Sequence, residues 1–416
     1  MLSPVKKASG LVLLGSLSVL SLPAMAQDAD SLQQQIDTLQ QEIDALRQSL
    51  QPQDTSEFVR RAPNGGFMLG NTAVRLSGYV KVDMTYSDNG FVGNGTSKAY
   101  EIVTPGNLKG LDDSQGNRFN LGARQSRFAL GTSTPVGDKT LNTFISWDFY
   151  GDHDSANEVV SNGYAPRLRE AYGSYGNLLI GQTWSTFADL NGIGELVAFG
   201  QHSSVIPNRQ AQVRYTIPFQ HGMWQLAVEN PENNARDEQD TPDLVARMTL
   251  RGGWGHFSVA ALARKLSLDD GTDRDSQWTD SYSVTARIPT VGRDDVRMQF
   301  NYGNLGRYMG LAAYPDAIID NGEVDAVDAW GASLAYRHFW TDRLRSTAAY
   351  STTKIRDAGQ YTGTVTTAYD TAFLNLMWSP VPRTTYGVEL QYFDLDVANG
   401  DNFELKRLAL SAPFDF

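Results

Sequence analysis

The residues of this chain best equipped for chemistry are its arginines, 26 of them against nine lysines. Five share one setting, on extended segments that flank a long connection at about 184 to 208 or at its exit: Arg127, Arg167, Arg169, Arg209 and Arg214. A guanidinium is planar, permanently charged and able to place two N–H donors on the two oxygens of a carboxylate. Rows of such forks let an anion exchange partners as it moves, provided that each site stays weak and partly hydrated. The competing reading, arginines that merely pair with nearby carboxylates, fits any one of the five better than it fits the set.

Other chemistries find little to work with. There is no Cys, which rules out disulfides, Cys-ligated metals and Fe–S clusters. Of five His, only His153, between Asp152 and Asp154, has an Asp-His pairing, and no partner motif accompanies it. G-x-S-x-G, H-E-x-x-H and phosphate-binding glycine loops do not occur. Asp269 to Asp280 fails the calcium-loop pattern, with Arg274 at the glycine position and Asp280 in place of Glu. No catalytic residue, cofactor or metal is therefore expected.

The elements that would position the arginines have a period of two. Val74, Leu76, Val80, Val82, Met84 and Tyr86 alternate with Arg75, Ser77, Tyr79, Lys81, Asp83 and Thr85. Fifteen further segments of strand character follow, among them 119 to 133, 165 to 175, 209 to 217, 323 to 338 and 402 to 416. Short connections such as Thr134 to Asp138, Gly176 and Pro218 to Gly222 alternate with long ones near 87 to 118, 151 to 164, 184 to 208 and 305 to 322. Sixteen strands with alternately short and long links predict an all-β, antiparallel transmembrane β-barrel over 74–416. With the apolar parity outward, the inward face holds Arg75, Lys81, Arg127, Arg167, Arg169, Arg214, Arg247, Arg251, Arg264, Arg287, Arg297, Arg337 and Arg345, against Asp83, Asp148, Glu389 and few other acids. The third long connection carries Phe187, Leu190, Ile193, Leu196, Val197, Phe199, Val205 and Ile206. So apolar a loop is expected to fold into the barrel and narrow it.

Upstream, residues 1–26 read as a signal peptide: Lys6 and Lys7, an apolar stretch from Leu11 to Leu22, then Ala24-Met25-Ala26. Residues 27–51 read as a coiled coil, with Ile36 and Ile43 at a positions and Leu39 and Leu46 at d. That a/d composition favours a dimer. Residues 52–73 read as a linker, loose from Pro52 to Gly66. Past the leader, 33 bases stand against 47 acids, a net of −14, which argues against nucleic acid as a partner. Mean hydropathy is −0.36 and no apolar run of 18 follows the leader, so a helical membrane bundle is excluded.

Several motifs together resemble the DcaP-like trimeric porins of Gram-negative outer membranes. They are Leu76-Ser77-Gly78-Tyr79-Val80-Lys81, Gln125-Ser126-Arg127-Phe128-Ala129-Leu130-Gly131, and Leu168-Arg169-Glu170-Ala171-Tyr172 running into Gly181-Gln182-Thr183-Trp184-Ser185-Thr186-Phe187. The resemblance implies a homotrimer in the outer membrane with the coil of residues 27–51 in the periplasm and the barrel contacting lipid and lipopolysaccharide, and the terminal aromatic Phe416 resembles the signal read by the outer-membrane assembly machinery. It also implies passive uptake of small anionic solutes, dicarboxylates in particular. An outer-membrane hydrolase and a structural envelope tether are the alternatives.

Overall fold

The computed structural model describes residues 38–44, 59–61, 66–91, 101–151, 158–197, 202–233, 239–269, 274–320 and 323–416. The chain divides into two compact units, Met1–Phe58 and Val59–Phe416. In the first, residues 38–44 are helical, within the heptad segment; the leader, the rest of the coil and His153 lie outside the described residues.

The second unit is a closed barrel. Its first eight strands are β1 (Thr72–Ser87), β2 (Arg118–Gly122 and Arg127–Val136), β3 (Lys139–Gly151), β4 (Ala165–Tyr175), β5 (Leu178–Trp184), β6 (Arg209–Phe219), β7 (Gly222–Glu229) and β8 (Asp243–Gly252). The others are β9 (Gly255–Asp269), β10 (Arg274–Pro289), β11 (Asp295–Gly303), β12 (Ala329–Phe339), β13 (Leu344–Ile355), β14 (Thr366–Trp378), β15 (Tyr386–Val397) and β16 (Asn402–Asp415). Each pairs antiparallel with the next, and β16 returns to β1 through pairs such as Leu410 with Met84, so the sheet has no open edge. Burial is inside out. Leu76, Val80 and Val82 are exposed while Lys81, Asp83 and Thr85 beside them are buried, as expected where the outer face meets lipid.

Two expectations need correction. Glu323–Ala326 is not the start of β12 but pairs with Ala317–Asp320 in a separate external hairpin. The stretch read as a loose linker is partly ordered: Val59–Arg61 pairs with Phe67–Leu69, which pairs with the start of β1.

Inside the barrel, residues 185–197 and 202–208 of the third long connection (loop 3) and 304–316 of loop 6 fold inward, as do residues near 101–108 of loop 1. Phe187, Ile206, Leu305, Tyr308, Met309, Val103 and Leu108 belong to one buried apolar cluster with wall residues such as Leu262, Phe373 and Phe393. Glycines make room for these loops. A Cβ on Gly387 would press into Val197, and one on Gly331 would meet Met309 and Ser204.

Candidate functional site

Loop 3 runs across the strands as a belt. Asp189 accepts from His256 Nε2 at 2.6 Å and Ser258 Oγ at 2.5 Å on β9, and Ile193 C=O accepts from Arg297 at 2.8 Å on β11. Glu195 takes Arg337 of β12 and Arg345 of β13, and its carbonyl accepts from Asn375 Nδ2 of β14 at 2.7 Å. Val197 N–H then donates to Glu389 of β15 at 2.8 Å, while Lys81 of β1 donates to Val197 C=O at 3.1 Å. The returning arm ties Ser203 N–H to Thr371 Oγ1 at 3.1 Å and Ser204 N–H to Ser351 Oγ at 2.9 Å. The expected inward fold is thus present in the described residues of this loop, which bury Phe187, Val197, Val205 and Ile206 and leave Leu190 exposed.

Burial pushes the Glu195 carboxyl up, but hydrogen bonds and charge from Arg345 and Arg337 outweigh it and hold it below the usual carboxylate range. Asp189 follows the same pattern: burial is overcome by the donors His256 and Ser258 and by the charge of Arg247, and its carboxyl lies well below the ordinary value. His202 is lowered from 6.5 to about 4 because burial disfavours the imidazolium, with the backbone of Gly194 opposing weakly. Its ring stands edge-on to Phe373, centroids 5.2 Å apart.

Among the described residues, the bonds that hold the belt leave out β2, β3 and β4, and there the arginines gather. Arg167 grips Asp148 with two bonds, Nε at 2.9 Å and Nη2 at 2.7 Å, and Arg169 Nη1 reaches the same carboxylate at 2.6 Å. Arg127 lies 5.5 Å over the Tyr79 ring, and Arg209 and Arg169 lie 4.7 and 6.0 Å over the Trp184 ring. Three of the five arginines singled out by sequence, Arg167, Arg169 and Arg209, are therefore drawn together around one carboxylate and one indole, with Arg127, over Tyr79, as an electrostatic neighbour of Arg169 and Arg209. Arg214 stands apart, its electrostatic partners being Glu229 and Tyr172.

Two β-bulges aim this group. Between the pairs Asp83–Gly122 and Tyr79–Arg127, β1 advances four residues and β2 five, so β2 carries one extra residue. Without it, Arg127 would share the outward parity of Phe119 and Leu121, both exposed; with it, Phe128 turns outward and Arg127 inward. A second register shift, where Ser146 faces Glu170 but Trp147 faces Leu168, inserts Arg169 as the extra residue of β4 beside Arg167. Arg209 has the strand parity of the exposed Val213 and Tyr215, and it joins the group through Trp184, its register partner.

Among the described residues, Arg127, Arg209 and Arg214 form no ion pair, and Arg127 Nε, Arg209 Nη1 and Arg214 Nε are buried without a hydrogen-bond partner. Several other inward arginines are paired with carboxylates. Arg264 pairs with Asp316 at 2.8 Å, and Asp295 takes Arg287 at 3.1 Å, Arg297 at 2.7 Å and Arg337. The wall is accordingly less one-sided than parity alone suggested, because Asp243, Asp295, Glu229 and the loop carboxylates Asp189 and Glu195 also face in. Sequence reasoning passed over Asp295 and Glu195, whose roles depend on cross-strand register and on the belt. It also passed over Glu101 of loop 1, which accepts from Arg124 at 3.0 Å and Tyr150 at 2.7 Å.

His256 and Ser258 share a strand face, yet both donate to the same oxygen of Asp189, so the serine hydroxyl faces a carboxylate and not the imidazole, and the two do not form a serine-histidine nucleophile-base pair.

Comparison with known proteins agrees with this architecture. The chain is similar to porin Omp2a of Brucella ovis, 25% identical over 262 residues, 56% of this chain and 67% of that protein. The crystal structure of the outer membrane channel DcaP of Acinetobacter baumannii superposes with a TM-score of 0.72 at 21% identity, covering 86% of this chain and 99% of that one. An anion-selective porin from Comamonas acidovorans superposes at 0.56 with 12% identity, over 83% of this chain and 100% of that one. The family model of the DcaP outer membrane protein matches residues 16–416. With sixteen strands closed on themselves, a third loop folded into the lumen and that match over nearly its whole length, the chain belongs to the DcaP family of outer-membrane porins.

Proposed function

We propose that this porin passes small anions in preference to cations, and dicarboxylates in preference to monocarboxylates of similar size. The observation that carries the reading is the group of Arg127, Arg167, Arg169 and Arg209, four cations of which Arg167 and Arg169 are paired with Asp148 while donor nitrogens of Arg127 and Arg209 are buried and unpartnered. A buried donor without a partner costs about 1–3 kcal/mol, which a bridging carboxylate recovers in part. Arg214 would add a further contact deeper along β6. Two carboxylates on one solute can engage guanidiniums at two separate places at once, whereas a monocarboxylate engages them at one.

The same reading takes residues 1–26 as the cleaved leader, residues 27–51 as a periplasmic coil and the working unit as a homotrimer. Liposome swelling with the purified protein tests it. Succinate should enter faster than an uncharged solute of equal size, and equal or slower entry would overturn the preference.

A further inference from the structure

Below the belt lies a second arginine group that the site above does not include. Arg287, Arg297, Arg337 and Arg345 stand on the inner faces of four consecutive strands, β10 to β13, with Arg287 directly opposite Arg297 in the register. They share two carboxylates of different character. Asp295 is part of strand β11 and its side chain is 3% exposed. Glu195 comes from loop 3, on a longer side chain that is 25% exposed. Its carboxylate is gripped by a fork: Arg345 Nε lies 3.1 and 3.0 Å from the two oxygens and Nη2 lies 2.7 Å from the first, while Arg337 Nη1 donates to the second at 3.0 Å. Four positive charges against two negative leave this station with a surplus of two.

Resting on the anion-channel reading, we infer that Glu195 is a tethered stand-in for the solute. Its carboxylate occupies the Arg337–Arg345 fork when the pore is empty and yields it to a carboxylate of a passing dicarboxylate, whose second group reaches Arg297 and the 40%-exposed Arg287. The exchange keeps occupancy weak, since a solute must displace a local carboxylate to bind and is displaced by it to leave. The backbone does not have to move. Ile193 C=O, Glu195 C=O and Val197 N–H are each held by a wall residue, independently of the Glu195 side chain.

Single-channel recording with succinate as blocker tests this on the full-length protein and on Glu195→Gln and Glu195→Asp. Glu195→Gln should tighten succinate block about tenfold or more. Glu195→Asp keeps the charge but is one methylene too short for the fork, so block should tighten several-fold with no change in the net charge of the station. Parent-like block in both variants overturns the inference. So does tighter block in Glu195→Gln alone, which would be a plain effect of charge. The parent's own reversal potential in a KCl gradient keeps the two claims apart: a cation-selective parent removes the anion-channel reading, whereas an anion-selective parent with unaltered variants removes only the stand-in. Should Glu195→Gln fail to assemble, Glu195→Asp alone decides.

Discussion

Acidification from pH 7 to pH 4 loosens the grip of loop 3 on the wall, and His202 sets the size of the effect. In the docked loop the ring is buried against Phe373 and its pKa is lowered from 6.5 to about 4. The docked state therefore holds a neutral imidazole through this window, while a released loop takes up a proton below pH 6.5. Docking has its full stability above 6.5, loses about 1.4 kcal/mol for each unit the pH falls, and stops losing near pH 4, a total of about 3 kcal/mol. Asp189 and Glu195, both held below the ordinary carboxylate range, act in the same direction but only below about pH 4. Native-state hydrogen exchange reads this directly at the amides of Ser203 and Ser204, which are bonded to Thr371 and Ser351. Corrected for intrinsic rates, their protection should drop about tenfold per pH unit and about 300-fold in all, with amides of β13 and β14 unchanged. In His202→Leu the slope should vanish. Flat protection in the parent across pH 6.5 to 4, or an unchanged slope in His202→Leu, would refute the reasoning.

Three further outcomes follow from the geometry. Arg127→Gln combined with Arg209→Gln removes two cations that have no carboxylate partner, so the barrel should keep its thermal stability; each charge contributes about 1–3 kcal/mol to a carboxylate about 5 Å away, and succinate block should weaken at least about fivefold in single-channel records. Deleting 189–204 should raise single-channel conductance and blur discrimination between solutes, and unchanged conductance would mean that the belt does not narrow the pore. Gly331→Val drives side-chain atoms into Met309 and Ser204, an overpacking of about 1–3 kcal/mol that should expose loops 3 and 6 to limited proteolysis while leaving the strands resistant.

Strand number, the inside-out alternation and the inward loop were legible in the sequence because each depends on local pattern. Alternation marks a strand wherever one face meets lipid, and Phe187, Val205 and Ile206 could not sit in an external loop without burial. Leu305, Tyr308, Met309 and Tyr314 carried the same signal for loop 6, and their burial makes that loop part of the lumen as well. The bulges in β2 and β4 were not legible: one extra residue in ten leaves the hydrophobic period almost intact, yet it decides which way Arg127 and Arg169 point. Nor was the division of the arginines into paired and free groups. That Asp148 serves Arg167 and Arg169, or that Asp295 serves three arginines, follows from the register between strands and has no trace along the chain.

The central claim, that the arginines of the lumen outweigh the acidic balance of the chain as a whole, is tested most directly by the zero-current potential of the parent channel in a tenfold KCl gradient. At low salt, where the Debye length is about 30 Å at 0.01 M, chloride should be favoured over potassium, and the preference should shrink as the salt rises and the Debye length falls to about 10 Å at 0.1 M. A potential of the opposite sign at low salt, with potassium favoured, would contradict the account.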